Sequence, residues 1–145
     1  MVTTRAFNPA EIDVAMELID IVLKNPDQRD YDIQCLVDDE DRPLGYVCYG
    51  PVPMAENTFD LYWIAVAPEF QNTGIGSKLL EFLERRIRAM KGRMILADTA
   101  SIPAYEKTHK FYQRNGFQEV ARIPDYYSSG NDRITFCKKL FPSPP

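Results

Sequence analysis

The sequence predicts one α/β domain built on a single mixed β-sheet with helices on its faces. Its 145 residues are the usual size of one domain and are enough to bury a substantial core. The chain is 45% hydrophobic and 26% charged, which is typical of an ordinary globular protein. Alternating and helically spaced apolar residues follow one another in the order β-α-β-β-β-α-β-α-β-β, without an internal repeat or an interior linker.

The first part of the chain predicts one helix among short strands. Residues 2–7 alternate as a strand does, and Asn8 followed by Pro9 is a favourable start for a helix. Apolar residues recur at helical spacing from 12 to 23, and the run NPD at 25–27 ends the helix. DIQCLV and LGYVCYG then predict two strands around the turn DDEDRP, and TFDLYWIAV predicts the strongest strand.

The second part of the chain predicts two helices and three more strands. One apolar stripe marks the first of these helices, formed by Leu79, Leu80, Leu83, Ile87 and Met90. RMILADT predicts a strand, and a second helix at about 103–115 is followed by Gly116, which suits the left-handed residue after a helix. FQEVARI and DRITFCKKL predict an antiparallel pair. We expect the domain to span 1–141 and the tail at 142–145 to be disordered.

Composition and charge exclude several classes of partner. The 17 basic and 21 acidic residues give a formal net charge of −4, which argues against nucleic acid and is compatible with an amine substrate. No apolar run approaches the roughly 18–20 residues of a membrane span, so no membrane partner is expected. The N-terminal stretch lacks an apolar signal core, and the three cysteines lack metal-ligand spacing. We therefore expect a cytoplasmic protein with buried free thiols and no metal.

The stretch VAPEFQNTGIGSKLL places Gly74 and Gly76 between the strongest strand and a helix. Glycines there let the backbone approach a phosphate, which the N–H groups and dipole of the helix attract. A Walker A loop does not fit, because GIGSK lacks the spacing of that motif. A dinucleotide fingerprint would use Asp98 as its ribose-binding acid, but Gly74 follows Val66 by eight positions instead of turning directly off the strand. A simple strand-to-helix turn is the remaining alternative.

Two motifs resemble those of the GNAT superfamily of N-acetyltransferases. Val66, Ala67 and Pro68, followed by QNTGIG at 71–76, are similar to the acetyl-CoA signature, in which V-x-P ends a strand and Q/R-x-x-G-x-G/A opens the next helix. THKFYQRNGF, residues 108–117, is similar to the A-x-x-F-Y-x-x-x-G-F element of the family. The resemblance covers almost the whole chain in the family's element order. It implies the family's α+β fold, with a central, mostly antiparallel mixed sheet and helices on both faces.

The resemblance also implies that acetyl-CoA is the co-substrate and indicates which residues hold it. In the family, the pyrophosphate lies at the helix N-terminus, and the backbone at the end of the preceding strand bonds the pantetheine and the acetyl carbonyl. Donors aimed at a developing oxyanion are usually the largest catalytic contribution. The corresponding positions of this sequence are Ile64, Ala65, Val66, Gln71, Asn72, Thr73, Gly74, Ile75, Gly76 and Ser77.

Three further residues are candidates for the chemistry. Tyr112 matches the tyrosine that many family members use as general acid toward the coenzyme A sulfur, and core packing is the alternative for this residue. A phenol with a pKa of about 10 is protonated at neutral pH, as a proton donor must be. Asp98 lies where the branch that acetylates ribosomal-protein N-termini carries a glutamate, and Asp60 lies near the strand glutamate of the histone-type branch. Both are candidates for the base; we expect Asp98 to act as the base, with Asp60 or water as the alternatives, and Asp60 to contact the substrate.

The acceptor side is marked by aromatic residues. Tyr126 and Tyr127 are predicted to lie in the loop before the last strand, which lines the acceptor site in many relatives. His109, the sole histidine, is expected on a helix surface. The chain departs from the family at Tyr105, which stands where many members have an asparagine that contacts coenzyme A.

The sequence therefore predicts an N-acetyltransferase that moves an acetyl group from acetyl-CoA to a primary amine by direct attack in a ternary complex. The acceptor is expected to be a small amine or an amino-acid or peptide α-amine, and the protein a monomer or homodimer. The alternative is a non-catalytic module that binds acyl-CoA for regulation.

Overall fold

The computed structural model describes residues 17, 19–21 and 23–141. Residues 17, 19–21, 23 and 24 are helical, where the sequence predicted a helix. The elements that follow are β1 (Asp32–Val37), β2 (Pro43–Pro51), β3 (Thr58–Val66), α1 (Ile75–Ala89), β4 (Met94–Ala100), α2 (Glu106–Arg114), β5 (Gln118–Ser128) and β6 (Asn131–Lys139). The predicted strand at 2–7, the start of the first helix and the tail at 142–145 lie outside the described residues.

The strands β1 to β6 form one sheet in the order β1-β2-β3-β4-β6-β5. Neighbouring strands are antiparallel except β3 and β4, which are parallel, and this confirms the predicted mixed, mostly antiparallel sheet. The parallel pairing is short, running from Thr58 opposite Met94 to Asp60 opposite Leu96. Beyond Asp60 and Leu96 the two strands continue without pairing to each other, so a gap opens in the middle of the sheet.

A β-bulge in β3 lies beside this gap. Tyr49 of β2 pairs with Leu61, whereas the preceding Cys48 pairs with Trp63, so Tyr62 is an extra residue in β3. An extra residue reverses the side of the sheet to which the following side chains point. Leu61 before the bulge and Ile64 after it consequently both pack against the same core.

The main core lies between the sheet and both helices. The buried stripe of α1, formed by Leu79, Leu80, Leu83 and Ile87, packs on the face of β2 and β3, and Tyr112 of α2 packs beside Phe136 of β6 on that same face. On the opposite face, Tyr31 packs edge-on against Tyr62 with ring centroids 5.3 Å apart.

Within the described ranges, no helix combines the length and the apolar character that a membrane crossing requires.

Three local predictions are wrong. Met90 was placed in the buried stripe, but α1 ends at Ala89 and Met90 caps it with 47% of its surface exposed. Cys35 was expected to be buried, but it is exposed on β1, the first strand in the sheet order of the described residues, whereas Cys48 and Cys137 are buried as predicted. Tyr126 and Tyr127 were placed in a loop, but β5 continues through both of them to Ser128.

Candidate active site

The loop between β3 and α1 is held by its own side chains. A single 3-10 turn covers Pro68–Phe70. The Thr73 hydroxyl donates to the carbonyl oxygen of Phe70, and the Gln71 side-chain amide donates to the carbonyl oxygen of Val66 at 3.3 Å. Because these side chains turn back into the loop, they order it in front of the helix.

Gly74 is the N-cap of α1 and adopts the left-handed conformation, with φ of +87°. A Cβ added there would meet no described atom within 4 Å, so this position faces open space. No side chain caps the helix at this end. The N–H groups of Ile75, Gly76 and Ser77 belong to the first turn, which has no intrahelical acceptors, and with the helix dipole they favour an anion. That the pyrophosphate of coenzyme A lies at this helix end stays a prediction.

Gly76 has a different requirement, which the sequence did not indicate. A Cβ at this position would lie 3.0 Å from the Cε2 and Cζ atoms of the Phe111 ring. The absence of a side chain at Gly76 therefore lets α2 pack closely against the start of α1. Its backbone N–H still belongs to the first turn of the helix.

The end of β3 lines the gap in the sheet. Ile64, Ala65 and Val66 pair on one side with β2. The other side faces β4, from which β3 has already separated. β4 does not pair with the backbone on that side, although the Val66 carbonyl oxygen accepts the Gln71 side-chain amide, and an extended chain such as pantetheine suits a slot between two strands. The role that the resemblance implies for these three residues stays a prediction.

Tyr112 enters the site from the helical side of the sheet. Its side chain is only 5% exposed, and its ring centroid lies between 5.2 and 5.7 Å from those of Phe111, Phe117 and Phe136. Burial, and secondarily the charge of Asp98, raises the pKa of the Tyr112 phenol. The phenol is therefore protonated at neutral pH, as the prediction of a general acid requires.

Asp60 and Asp98 lie together on the opposite face, which we call the acidic face. Asp60 is directly opposite Leu96, and Asp98 is two residues further along β4, so both side chains point to the same side. Asp98 accepts a hydrogen bond from the Thr135 hydroxyl at 2.6 Å. Burial, and secondarily the charge of Asp98, raises the pKa of Asp60, whereas the charge of Arg133 lowers it. The three groups are thus electrostatically coupled.

The raised pKa of Asp60 predicts that its carboxylate destabilises the folded protein at neutral pH. Between the ordinary pKa of an aspartate and the raised value, the native state binds more protons than the unfolded state, so stability falls as pH rises through this window. Asp60→Asn should therefore raise the Tm at pH 7, by no more than about 2–4 °C in a domain of this size. The gain should disappear at a pH below the ordinary aspartate pKa.

Differential scanning calorimetry between pH 3 and 8 measures this effect. Asp39→Asn, in the exposed turn after β1, is the matched control and should leave the Tm unchanged at each pH. A Tm for Asp60→Asn below that of the wild type at pH 7 would show that the carboxylate makes net favourable contacts in the native state.

Arg133 is a site residue that the sequence analysis missed. It lies on β6 opposite Ala100, and its Nε atom is 3.6 Å from the Asp98 carboxylate. Its guanidinium lies over the Tyr126 ring, 5.0 Å from the centroid. Tyr127 packs edge-on against Tyr126 at 4.9 Å. Both tyrosines are about half exposed, so they can form a wall beside the acidic face.

His109 belongs to the structural framework. Its Nε2 atom is 2.9 Å from the carbonyl oxygen of Ala100, and its ring lies 5.6 Å from that of Phe136. The expectation of a surface histidine is therefore wrong, because the side chain is partly buried and joins α2 to the end of β4.

Comparison with known proteins identifies the class of protein that this fold and site define. Residues 31–119 match the family model of the acetyltransferase (GNAT) domain. A GNAT-family protein from Desulfovibrio desulfuricans has 40% identity and a TM-score of 0.87, with 94% of this chain and 85% of that chain covered. The chain belongs to the GNAT family of acetyltransferases, as its two motifs predicted. It is therefore an enzyme of the acyltransferase class.

More distant structures share the fold. Aminoglycoside 6'-N-acetyltransferase from Enterococcus faecium has 17% identity and a TM-score of 0.70, with 96% of this chain and 97% of that chain covered. A GNAT family acetyltransferase from Elizabethkingia anophelis, whose structure contains acetyl-CoA, has 20% identity and a TM-score of 0.69, with 88% and 84% covered. No curated protein sequence matches the chain.

Proposed function

We propose that the protein transfers an acetyl group from acetyl-CoA to a primary amine by direct attack in a ternary complex. One observation carries the proposal. β3 and β4 separate beyond Asp60 and Leu96, the protonated Tyr112 lies on the helical face of the sheet, and the Asp60–Asp98 pair lies on the other face. A thioester lying in this gap would have an acid on one side and a base on the other.

Acetyl-CoA supplies the activated acetyl thioester. The first turn of α1, around Gly74, would hold its pyrophosphate, and the edge of β3 at 64–66 would orient its pantetheine and acetyl carbonyl. Hydrogen-bond donors placed in advance of the reaction stabilise the negative charge that develops on the carbonyl oxygen. No step of this mechanism requires a Lewis acid, in agreement with the prediction of no metal.

Protons move at two points. The pair formed by Asp60 and Asp98 takes one proton from the ammonium form of the acceptor, which frees the nitrogen lone pair for attack on the thioester carbon. As the carbon–sulfur bond breaks, Tyr112 donates a proton to the sulfur and is reprotonated by the proton that the nitrogen loses on becoming an amide. Overall, the ammonium form of the acceptor and the thioester give an amide, a thiol and one proton, which the carboxylate pair releases to solvent.

The predicted base, Asp98, shares this task with Asp60 because the two carboxylates are coupled. Asp98 is held by Thr135, while its charge makes Asp60 more basic. Burial and the charge of Asp98 raise the pKa of Asp60, so Asp60 accepts a proton more readily than an isolated aspartate does. We therefore assign proton acceptance to the pair, with Asp98 as its fixed member.

A screen of primary amines for thiol release from acetyl-CoA tests the proposal. We expect amine-dependent release, with initial-rate lines that intersect when both substrates are varied, because both must be bound before transfer. Parallel lines would indicate an acetylated enzyme and would contradict direct attack. Tight binding of acetyl-CoA without release in the presence of any amine would favour the alternative, a regulatory module that binds acyl-CoA.

A further inference from the structure

The acidic face contains one positive group among its carboxylates. Arg133 lies beside Asp98 and Tyr126 on β6, the neighbour of β4 on the side away from β3. Its Nε atom is buried and has no hydrogen-bond partner among the described residues. The side chain as a whole is 31% exposed, so the end of the guanidinium can reach a ligand while its stem is fixed.

The contact between Arg133 and Asp98 is an ion pair without a hydrogen bond. The separation of 3.6 Å between Arg133 Nε and Asp98 Oδ1 is too long for a hydrogen bond, and the same carboxylate oxygen accepts the Thr135 hydroxyl. A guanidinium has five N–H donors in a planar fork that matches a carboxylate. A hydrogen bond with Tyr126 and the contact with Asp98 use part of this capacity, and Nε is left without a hydrogen-bond partner within the described part of the chain.

Arg122, on the next strand, shows what a closed arrangement looks like in this protein. Its terminal nitrogens bond Glu119 at 3.0 Å and Asp132 at 3.1 Å. Arg122 pairs with Ile134, whose side chain belongs to the core, so it lies on the face opposite Arg133. Arg122 therefore donates hydrogen bonds to two carboxylates, whereas Arg133 lies 3.6 Å from one carboxylate, Asp98, without a hydrogen bond to it.

The charges of the acidic face match a molecule that carries both signs close together. Asp60 and Asp98 attract an ammonium group, and Arg133 attracts a carboxylate. Arg133 is two residues along β6 from Thr135, which pairs with Asp98. A polyamine would instead bring a second positive charge against Arg133, which is unfavourable. A peptide N-terminus would present a neutral amide there and leave the arginine without its partner.

We propose that the acceptor is a free α-amino acid, whose carboxylate is bound by Arg133 while the Asp60–Asp98 pair receives its amino group. Tyr126 orients the guanidinium by stacking, and the amino-acid side chain lies toward Tyr126 and Tyr127. This inference rests on the proposed function, because it names the substrate class of that reaction.

The test compares each standard L-amino acid with its carboxamide, in wild type and in Arg133→Gln. The two compounds share the α-carbon and side chain and differ in the carboxylate. For the preferred amino acid, wild-type kcat/KM should exceed that of the carboxamide, and Arg133→Gln should lower kcat/KM for the acid by about 10–100-fold, as expected for hydrogen bonds to a charged group. The carboxamide should be almost unaffected by the substitution. Arg133→Lys, which keeps the charge, should recover part of the loss.

Arg122→Gln is the matched control and should retain the preference of the wild type. Equal use of acid and carboxamide by the wild type would overturn the inference while leaving the acetyltransferase function in place. So would an equal fall for both compounds in Arg133→Gln, since that pattern indicates a structural arginine. If neither these compounds nor any other amine causes thiol release, the proposed function is wrong, and the inference with it.

Discussion

Replacement of Tyr112 by phenylalanine is expected to lower kcat by about 10²–10⁴-fold while the affinity for acetyl-CoA changes little. The substitution removes only the hydroxyl, so the ring contacts with Phe117 and Phe136 remain. Burial raises the pKa of this phenol, which keeps it protonated but also makes it a weaker acid. We therefore expect an effect toward the lower end of this range.

The rate must be measured together with the Tm, because Tyr112 is also part of the core. Tyr49→Phe provides the matched control, since it removes another buried hydroxyl, one that donates to Asp32 at 2.5 Å and accepts from Arg86 at 2.9 Å. It should lower the Tm and leave kcat at the wild-type value. A Tyr112→Phe enzyme with wild-type kcat, under conditions where chemistry limits turnover, would exclude Tyr112 as the proton donor.

Replacement of Gly74 by valine is expected to weaken acetyl-CoA binding by at least about 10²-fold, the loss of one or two hydrogen bonds to a charged group. The new side chain would project into the open space in front of α1, where the pyrophosphate must lie. It would also strain the left-handed backbone, at a cost of roughly 1–2 kcal/mol in folding stability. Isothermal titration calorimetry measures the affinity, and thermal melting measures the strain.

Gly130→Val separates these two effects. Gly130 also adopts a left-handed conformation, with φ of +76°, and also faces open space, but it lies in the turn between β5 and β6. This variant should lose a similar amount of stability and keep its affinity for acetyl-CoA. Gly76→Val is unsuitable for the comparison, because it would press on the Phe111 ring. Unchanged affinity in Gly74→Val would contradict the assignment of the pyrophosphate to this loop.

The sequence predicted those features that depend on short stretches of chain. QNTGIG and FYQRNGF indicated the family, the loop and Tyr112, and the spacing of apolar residues predicted most of the strands and helices. Gly116 ends α2 with φ of +88°, as its position predicted. Each of these signals lies within about one element, where local geometry determines the outcome.

The features that were missed depend on pairing between distant residues. Arg133 became part of the site because β6 pairs with β4, which brings it beside Asp98, 35 positions earlier in the chain. The packing of Phe111 on Gly76 and the contact of His109 with Ala100 likewise join elements that are separate in sequence. The bulge at Tyr62 reverses the alternation of β3, so alternation alone cannot assign its faces. Long-range register of this kind is not encoded in any local pattern.

The most direct test of the account follows the acetyl group itself. The protein is mixed with acetyl-CoA labelled with ¹³C at the acetyl carbonyl and with an amine acceptor identified by thiol release, and the reaction is followed by ¹³C NMR. The account predicts that the thioester carbonyl signal is replaced by that of an N-acetyl amide on the acceptor, at the rate of thiol release and without label on the protein. A labelled protein, or replacement of the thioester signal by that of free acetate instead of an amide, would contradict it.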